Sequence, residues 1–209
     1  MNITKYEHAC LTIELDHQLL VIDPGNFTTD FIAPDHVAGI VITHEHGDHC
    51  DTELIAAIMD KNPDAVIIAH PSITDQFEAF ATKAVTVGDT LELGPFHLEF
   101  FGGQHAVIFP DNSPLANLGV MVNDLFYYPG DSFSVPDDRS VDTLALPVAA
   151  PWLKINEVID FLTAVAPRAA FPTHDAIAST IGKEMADRMV GAHAQEHGID
   201  YQRRDTYTV

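Results

Sequence analysis

Short apolar runs of strand length, each closed by turn residues, recur along the chain and constrain its fold more than any other feature. They are Leu11–Leu15, Leu19–Ile22, Ile40–Thr43, Val66–Ala69, Leu98–Phe101, Val120–Val122, Phe126–Tyr128 and Leu144–Leu146. Runs this short and β-rich cannot bury themselves; they must pair into sheets and cover an apolar face. Helical patterns separate them. Leu54, Ile55, Ile58 and Met59 follow an Asp51 cap, and Ile73, Phe77, Phe80 and Ala81 follow Ser72-x-x-Asp75, which has capping-box form. Ile155, Val158, Ile159, Leu162 and Val165 form the clearest amphipathic stripe, with Ile181, Met185, Met189 and Ala192 as another. A strand-rich start, two helices, a strand-rich middle and two late helices do not make a strict βα alternation. That order predicts an α+β fold, with sheets face to face and helices outside. No linker, low-complexity tract or repeat interrupts it, so residues 1–209 read as one domain.

The chain has 209 residues, 46% of them apolar, enough to bury a full core. Ten Lys and Arg stand against 31 Asp and Glu, a formal charge of −21. A protein that lives on phosphate contacts needs clustered basic side chains, so nucleic acid and anionic membrane are not expected partners. No apolar run approaches the roughly 18 residues of a spanning helix. Met1–Cys10 has neither a basic n-region nor an apolar h-region, so a cytoplasmic location is expected. Cys10 and Cys50 read as two reduced, packed thiols.

Twelve histidines outnumber the ten Lys and Arg. The segment Ile42–Cys50, ITHEHGDHC, places His44, His46, Asp48 and His49 between an apolar strand and the helix after Asp51. Residues two apart in extended backbone point the same way, so His44 and His46 can converge on one ion. Gly47 lets the chain turn and swing Asp48 and His49 to a neighbouring position. Imidazole and carboxylate suit zinc and similar divalent ions. A solvated loop that happens to be His-rich is the plainer reading, but this spacing at a strand-to-helix junction is too unusual for it.

The H-x-H-x-D-H pattern after a strand resembles the signature of the metallo-β-lactamase fold superfamily. Other segments match that family's motifs in order: Asp23-Pro24-Gly25, Gly102-Gly103-Gln104-His105, Tyr128-Pro129-Gly130-Asp131-Ser132 and Phe171-Pro172-Thr173-His174-Asp175. The likeness runs from about Thr4 to His174. Glu7-His8-Ala9, the GGQHA segment and the YPGDS turn look most like small metal-dependent hydrolases similar to L-ascorbate-6-phosphate lactonase.

The resemblance implies a four-layer αββα sandwich of two mixed sheets and a site for two divalent ions, zinc first and manganese second. It assigns His44, His46 and His105 to one ion, Asp48, His49 and His174 to the other, and Asp131 as the bridge. A hydroxide shared between the ions would be the nucleophile, with Asp48 also orienting it or passing its proton. Asp23 would be a carboxylate that orients a ligand histidine, and His8 would lie near the pocket mouth, a candidate for substrate contact. Trp152, in the stiff loop Pro147–Trp152, either lines the substrate pocket or covers the helix over Ile155–Val165. Cys50 has no metal role in the family pattern, and the remaining histidines read as structural or solvent-facing. The implied enzyme is a dinuclear hydrolase of a small-molecule lactone, ester or phosphodiester. Lys154 and Arg168 are the candidates by location for a substrate phosphate. A mononuclear-iron dioxygenase acting on a sulfur substrate is the alternative, and a homo-oligomer stays open.

Overall fold

The computed structural model describes residues 1–109 and 115–209. The first sheet takes β1 (Asn2–Lys5), β2 (Leu11–Leu15), β3 (Gln18–Ile22), β4 (Val37–Ile42), β5 (Val66–Ala69) and β6 (Thr82–Ala84). The second takes β7 (Thr90–Leu93), β8 (Phe96–Gly102), β9 (Leu118–Val122), β10 (Phe126–Tyr128), β11 (Thr143–Pro147), β12 (Ala169–Thr173) and β13 (Asp200–Tyr201). A last strand, β14 (Thr206–Thr208), returns to the first sheet beside β1, giving orders β14-β1-β2-β3-β4-β5-β6 and β13-β12-β11-β10-β9-β8-β7.

Each sheet is antiparallel on one side and parallel on the other. Local turns make the antiparallel halves. Asp16 and His17 both take positive φ, +50° and +63°, the two-residue turn whose twist matches a hairpin, and so join β2 to β3. Helical crossovers make parallel pairs: α1 (Thr52–Lys61) lies between β4 and β5, and α3 (Ile155–Val165) between β11 and β12. Between the sheets lies a core that includes Ile3, Ile13, Leu20, Ile22, Phe96, Phe100, Phe126 and Phe171. A second apolar cluster seals α1 against the first sheet, and a third seals α3 and α4 (Thr180–Glu196) against the second. The layers therefore run helix, sheet, sheet, helix, the expected α+β sandwich. Among the described residues no helix is long and apolar enough to cross a membrane.

Two helical readings need correction. The segment after His70 forms only a short helix, α2 (Pro71–Thr74), followed by a tighter turn over Asp75–Phe77. Its cap is His70, whose ring nitrogen accepts the Ser72 N–H at 3.2 Å, not Ser72. The helix stops early because Thr82 must already pair with Ile67 in β6. In α4 the buried stripe is Ala186, Val190 and Ala194. Ile181, Met185 and Met189 are 77%, 51% and 40% exposed, and Ala192 is exposed too. The helix carries two apolar stripes, and the face of smaller side chains is the one turned inward.

Candidate metal centre

The predicted site residues stand at strand ends. Asp23 follows β3, His44 to His49 follow β4, His105 follows β8, Asp131 follows β10 and His174 follows β12. The loops after β3 and β4 lock together. A Cβ on Gly25 would lie 1.8 Å from the Asp48 carbonyl oxygen and 2.5 Å from the His49 nitrogen, so only glycine lets the Asp23-Pro24-Gly25 turn lie against the histidine loop. Asp51 then caps α1, accepting the Glu53 and Leu54 N–H groups, as its position before the apolar pattern predicted.

The seven proposed ligands come together. Donor atoms of His44, His46 and His105 lie within 4.8 Å of one another; so do those of Asp48, His49 and His174 with His8, and those of His44, His49 and Asp131. The Asp131 carboxylate sits between the two sets, 3.1 Å from His49 Nε2, 3.4 Å from His105 Nε2 and 3.0 Å from His174 Nε2.

Four of the five imidazoles are held by the far nitrogen, while His46 Nδ1 lies 3.1 Å from His44 Nε2 within the cluster. His49 Nδ1 donates to Asp23 Oδ2 at 2.7 Å, His174 Nδ1 to the Ala149 carbonyl at 2.7 Å, and His105 Nδ1 to the Ala106 carbonyl at 2.5 Å. The Thr43 hydroxyl gives its proton to Asp23 at 2.6 Å, so His44 Nδ1 donates to Thr43 Oγ1 at 3.1 Å. This fixes the tautomer that presents a bare Nε2 inward. The fit to a cation shows in what is left over. His49 Nε2, His105 Nε2, His174 Nε2 and Asp131 Oδ1 are buried and have no hydrogen-bond partner. Buried polar atoms rarely go without partners, and four that converge are a donor set that could hold a cation.

Electrostatics agree with the donor set. Burial pushes the His44 imidazole well below its ordinary value, keeping it neutral. Burial also works against a charged His49, yet Asp131 and Asp23 outweigh it and raise that imidazole well above its usual range. Two carboxylates facing one buried ring call for positive charge at this spot. Burial would raise Asp48, but its hydrogen bond with His8 and the nearby His49 and His174 hold it down at about 2.

His8 is fully buried and does not line the cleft above the cluster. Its Nε2–H donates to Asp48 Oδ2 at 3.0 Å, while its Nδ1 accepts the Ala176 N–H at 3.3 Å. His8 and His174 both take left-handed backbone, φ +63° and +58°, joined by a His174 N–H to His8 carbonyl bond of 2.9 Å. Such conformations cost non-glycine residues about 1 kcal/mol each and persist where surroundings enforce them. Trp152 donates its indole N–H to Asp131 Oδ2 at 2.8 Å, its ring 6.2 Å from that of His174. Asn117 escaped sequence reasoning. It is wholly buried, takes the Asp131 N–H on Oδ1 at 2.9 Å and donates to the Pro129 carbonyl at 2.8 Å, shaping the turn that aims Asp131. An isolated Asn far from the motifs gives no local signal. Lys154 pairs with Glu157, and Arg168 with Asp142, both away from the cleft. Cys10 and Cys50 are free and buried, and burial pushes the Cys50 thiol up to about 12.

The chain resembles known proteins in sequence and fold. The family model described as "Beta-lactamase superfamily domain" matches residues 2–174. "Protein Rv0786c" of Mycobacterium tuberculosis is 39% identical over 182 residues, covering 85% of each chain. A "UPF0173 metal-dependent hydrolase" of Flavobacterium johnsoniae is 32% identical over 130 residues, 58% of this chain and 56% of that one. A crystal structure from Parabacteroides distasonis superposes with a TM-score of 0.80 at 24% identity, covering 97% of this chain and 92% of the other.

Proposed function

The chain belongs to the β-lactamase superfamily, and from that premise we propose that it is a metal-dependent hydrolase holding two divalent ions and adding water across a lactone, ester or phosphodiester bond of a small molecule. The observation that carries this reading is the convergence of unpartnered buried atoms on His49, His105, His174 and Asp131. His44, His46 and His105 would hold one ion and Asp48, His49 and His174 the other, with Asp131 between them. Zinc suits this donor set first and manganese second. When bound, such ions supply a Lewis acid for the substrate oxygen and bring the pKa of a shared water toward neutrality.

The chain's own residues do the rest. Asp23, with Thr43, fixes His49; the Ala106 and Ala149 carbonyls fix His105 and His174. Asn117 and Trp152 hold Asp131 from two sides. His8 acts through Asp48: its Nε2–H occupies Oδ2, leaving Oδ1 to orient the attacking water and take its proton. The side chain of Asp48 is 23% exposed where Asp131 is 4%, which suits Asp48 for exchange with the cleft.

The test is metal analysis of the purified protein together with a metal-loaded screen of lactones, phosphodiesters and thioesters. About two divalent ions per chain are expected, with Asp48→Ala losing at least one ion and all turnover. A single iron in the native protein, or a full complement in Asp48→Ala, would overturn the assignment.

A further inference from the structure

The hydrolase reading leaves three bond types open, and the cleft above the cluster narrows them. That cleft measures about 510 Å³, within the range of small-molecule sites. Asp48 and His174 stand at its base, and Phe27, Ala150, Pro151 and Ile177 make most of its wall, with Asn26 as a polar neighbour. Phe27 and Ile177 are 40% and 52% exposed, large apolar groups kept in water beside the chemistry. Phe27 is held there by the ring of His8, 5.0 Å away and edge-on. Apolar surface beside a reactive centre gains by being covered when a ligand binds.

Charge decides the other half. Among the described residues no Lys or Arg lines this cleft. Lys5 and Lys183 lie at a separate cleft beside Asp175, and Arg168 and Arg204 at another. Lys61, Lys154 and Arg139 are engaged by Asp35, Glu157 and Glu99. The two ions would meet the oxygens of the bond that is cut, but a phosphodiester's remaining charge would face a wall of carbon with no cation to pair with it.

We infer that the substrate is an uncharged lactone or carboxylic ester carrying an apolar substituent, seated against Phe27, Pro151 and Ile177 next to the bond that is cut. This rests on the hydrolase reading and deepens it. One water is consumed: its oxygen bonds to the acyl carbon, the acyl C–O bond breaks, and the leaving oxygen takes up the proton that the water gives up, so a lactone yields its hydroxy acid.

The experiment compares γ-butyrolactone, γ-octalactone and γ-decalactone with bis(p-nitrophenyl) phosphate, using the protein as purified with its metals. It adds a binding titration read by the emission of Trp152, the chain's only tryptophan, which adjoins Pro151. We expect kcat/KM to rise roughly threefold per added methylene until the cleft is filled, chiefly through KM. Phe27→Ala and Ile177→Ala should each flatten that rise, with γ-octalactone losing about tenfold. Saturable change in Trp152 emission with γ-decalactone is expected even where turnover is slow. A flat series, phosphodiester cleavage faster than that of every lactone, or a titration without saturation would overturn the inference while leaving a hydrolase. Absence of all turnover with saturable, Phe27-dependent binding would instead sink the hydrolase reading and keep the apolar subsite.

Discussion

The two sheets contribute to the cluster in opposite ways. The first sheet sends four donors from one loop, His44, His46, Asp48 and His49, within six residues. The second sends His105, Asp131 and His174 one at a time, from the ends of β8, β10 and β12. The first group is aligned by its neighbour in the same sheet, since Asp23 leaves β3 beside β4 and Gly25 lies on the Asp48 backbone. The second group is aligned one residue at a time, His105 by the carbonyl of the adjacent Ala106, His174 by the Ala149 carbonyl after β11 and Asp131 by Asn117 before β9. A compact loop tolerates no change of volume at its seam, whereas a dispersed set depends on individual hydrogen bonds.

That contrast can be broken in stages. The largest effect should come from Gly25→Ala, because the added carbon would meet carbonyl backbone rather than a flexible side chain. About 3 kcal/mol of stability should go, lowering Tm by about 10 °C, together with the metal content of the His44–His49 loop. A variant that melts within a few degrees of the wild type would show that the loop yields, and the contrast would fail. Asp23→Asn keeps volume but withdraws the carboxylate from His49 and Thr43. Metal affinity should fall about 10- to 100-fold, read by competition with a chelator, with Tm changing less than in Gly25→Ala. Asn117→Ala should do the reverse on the second sheet. Its two buried bonds are worth about 2 kcal/mol, while affinity falls by about tenfold, since the backbone still delivers Asp131.

The smallest effect concerns the tie between the sheets near His174. Asp175 is buried against Lys5 of β1 and Arg203, and although burial opposes ionisation, those cations hold its carboxyl below the ordinary carboxylate value. A depressed folded-state pKa gives stability that is complete above the unfolded value near pH 4 and is lost as pH falls through the folded one. Wild-type Tm should therefore drop more steeply than that of Asp175→Asn between about pH 5 and about pH 2. Parallel curves would remove Asp175 from the account.

The same contrast explains what was legible. The strand runs that could be read were those alternating toward, or buried within, the central core, such as Leu11–Leu15 and Val66–Ala69. Of the strands that could not, β1, β6, β7, β13 and β14 are short and partly or wholly exposed, and pairing rather than apolar content makes them strands, while β12 is buried but reads Ala-Ala-Phe-Pro-Thr, without a run of large apolar residues. The stripe on α4 misled because Ile181, Met185 and Met189 satisfy the helical period as well as Ala186, Val190 and Ala194 do. Periodicity marks an apolar face but does not say which of two faces fits a neighbour. His8 shows the same limit at the site. The family resemblance implied a pocket mouth, yet its ring is buried behind Asp48, a contact between residues 40 apart.

The sequence by itself determined the alternation of sheets and helices and the donor-rich turn after β4, because both depend on residues close along the chain. Only the tertiary structure decided that His8, Trp152 and Asn117 serve carboxylates and set the distances at which Asp131 meets the imidazoles. It alone placed Phe27 with Ile177 beside a cleft without basic side chains. Those relations join strand ends from two sheets, and their geometry is set by packing and by the need of buried polar atoms for partners, which no local pattern records.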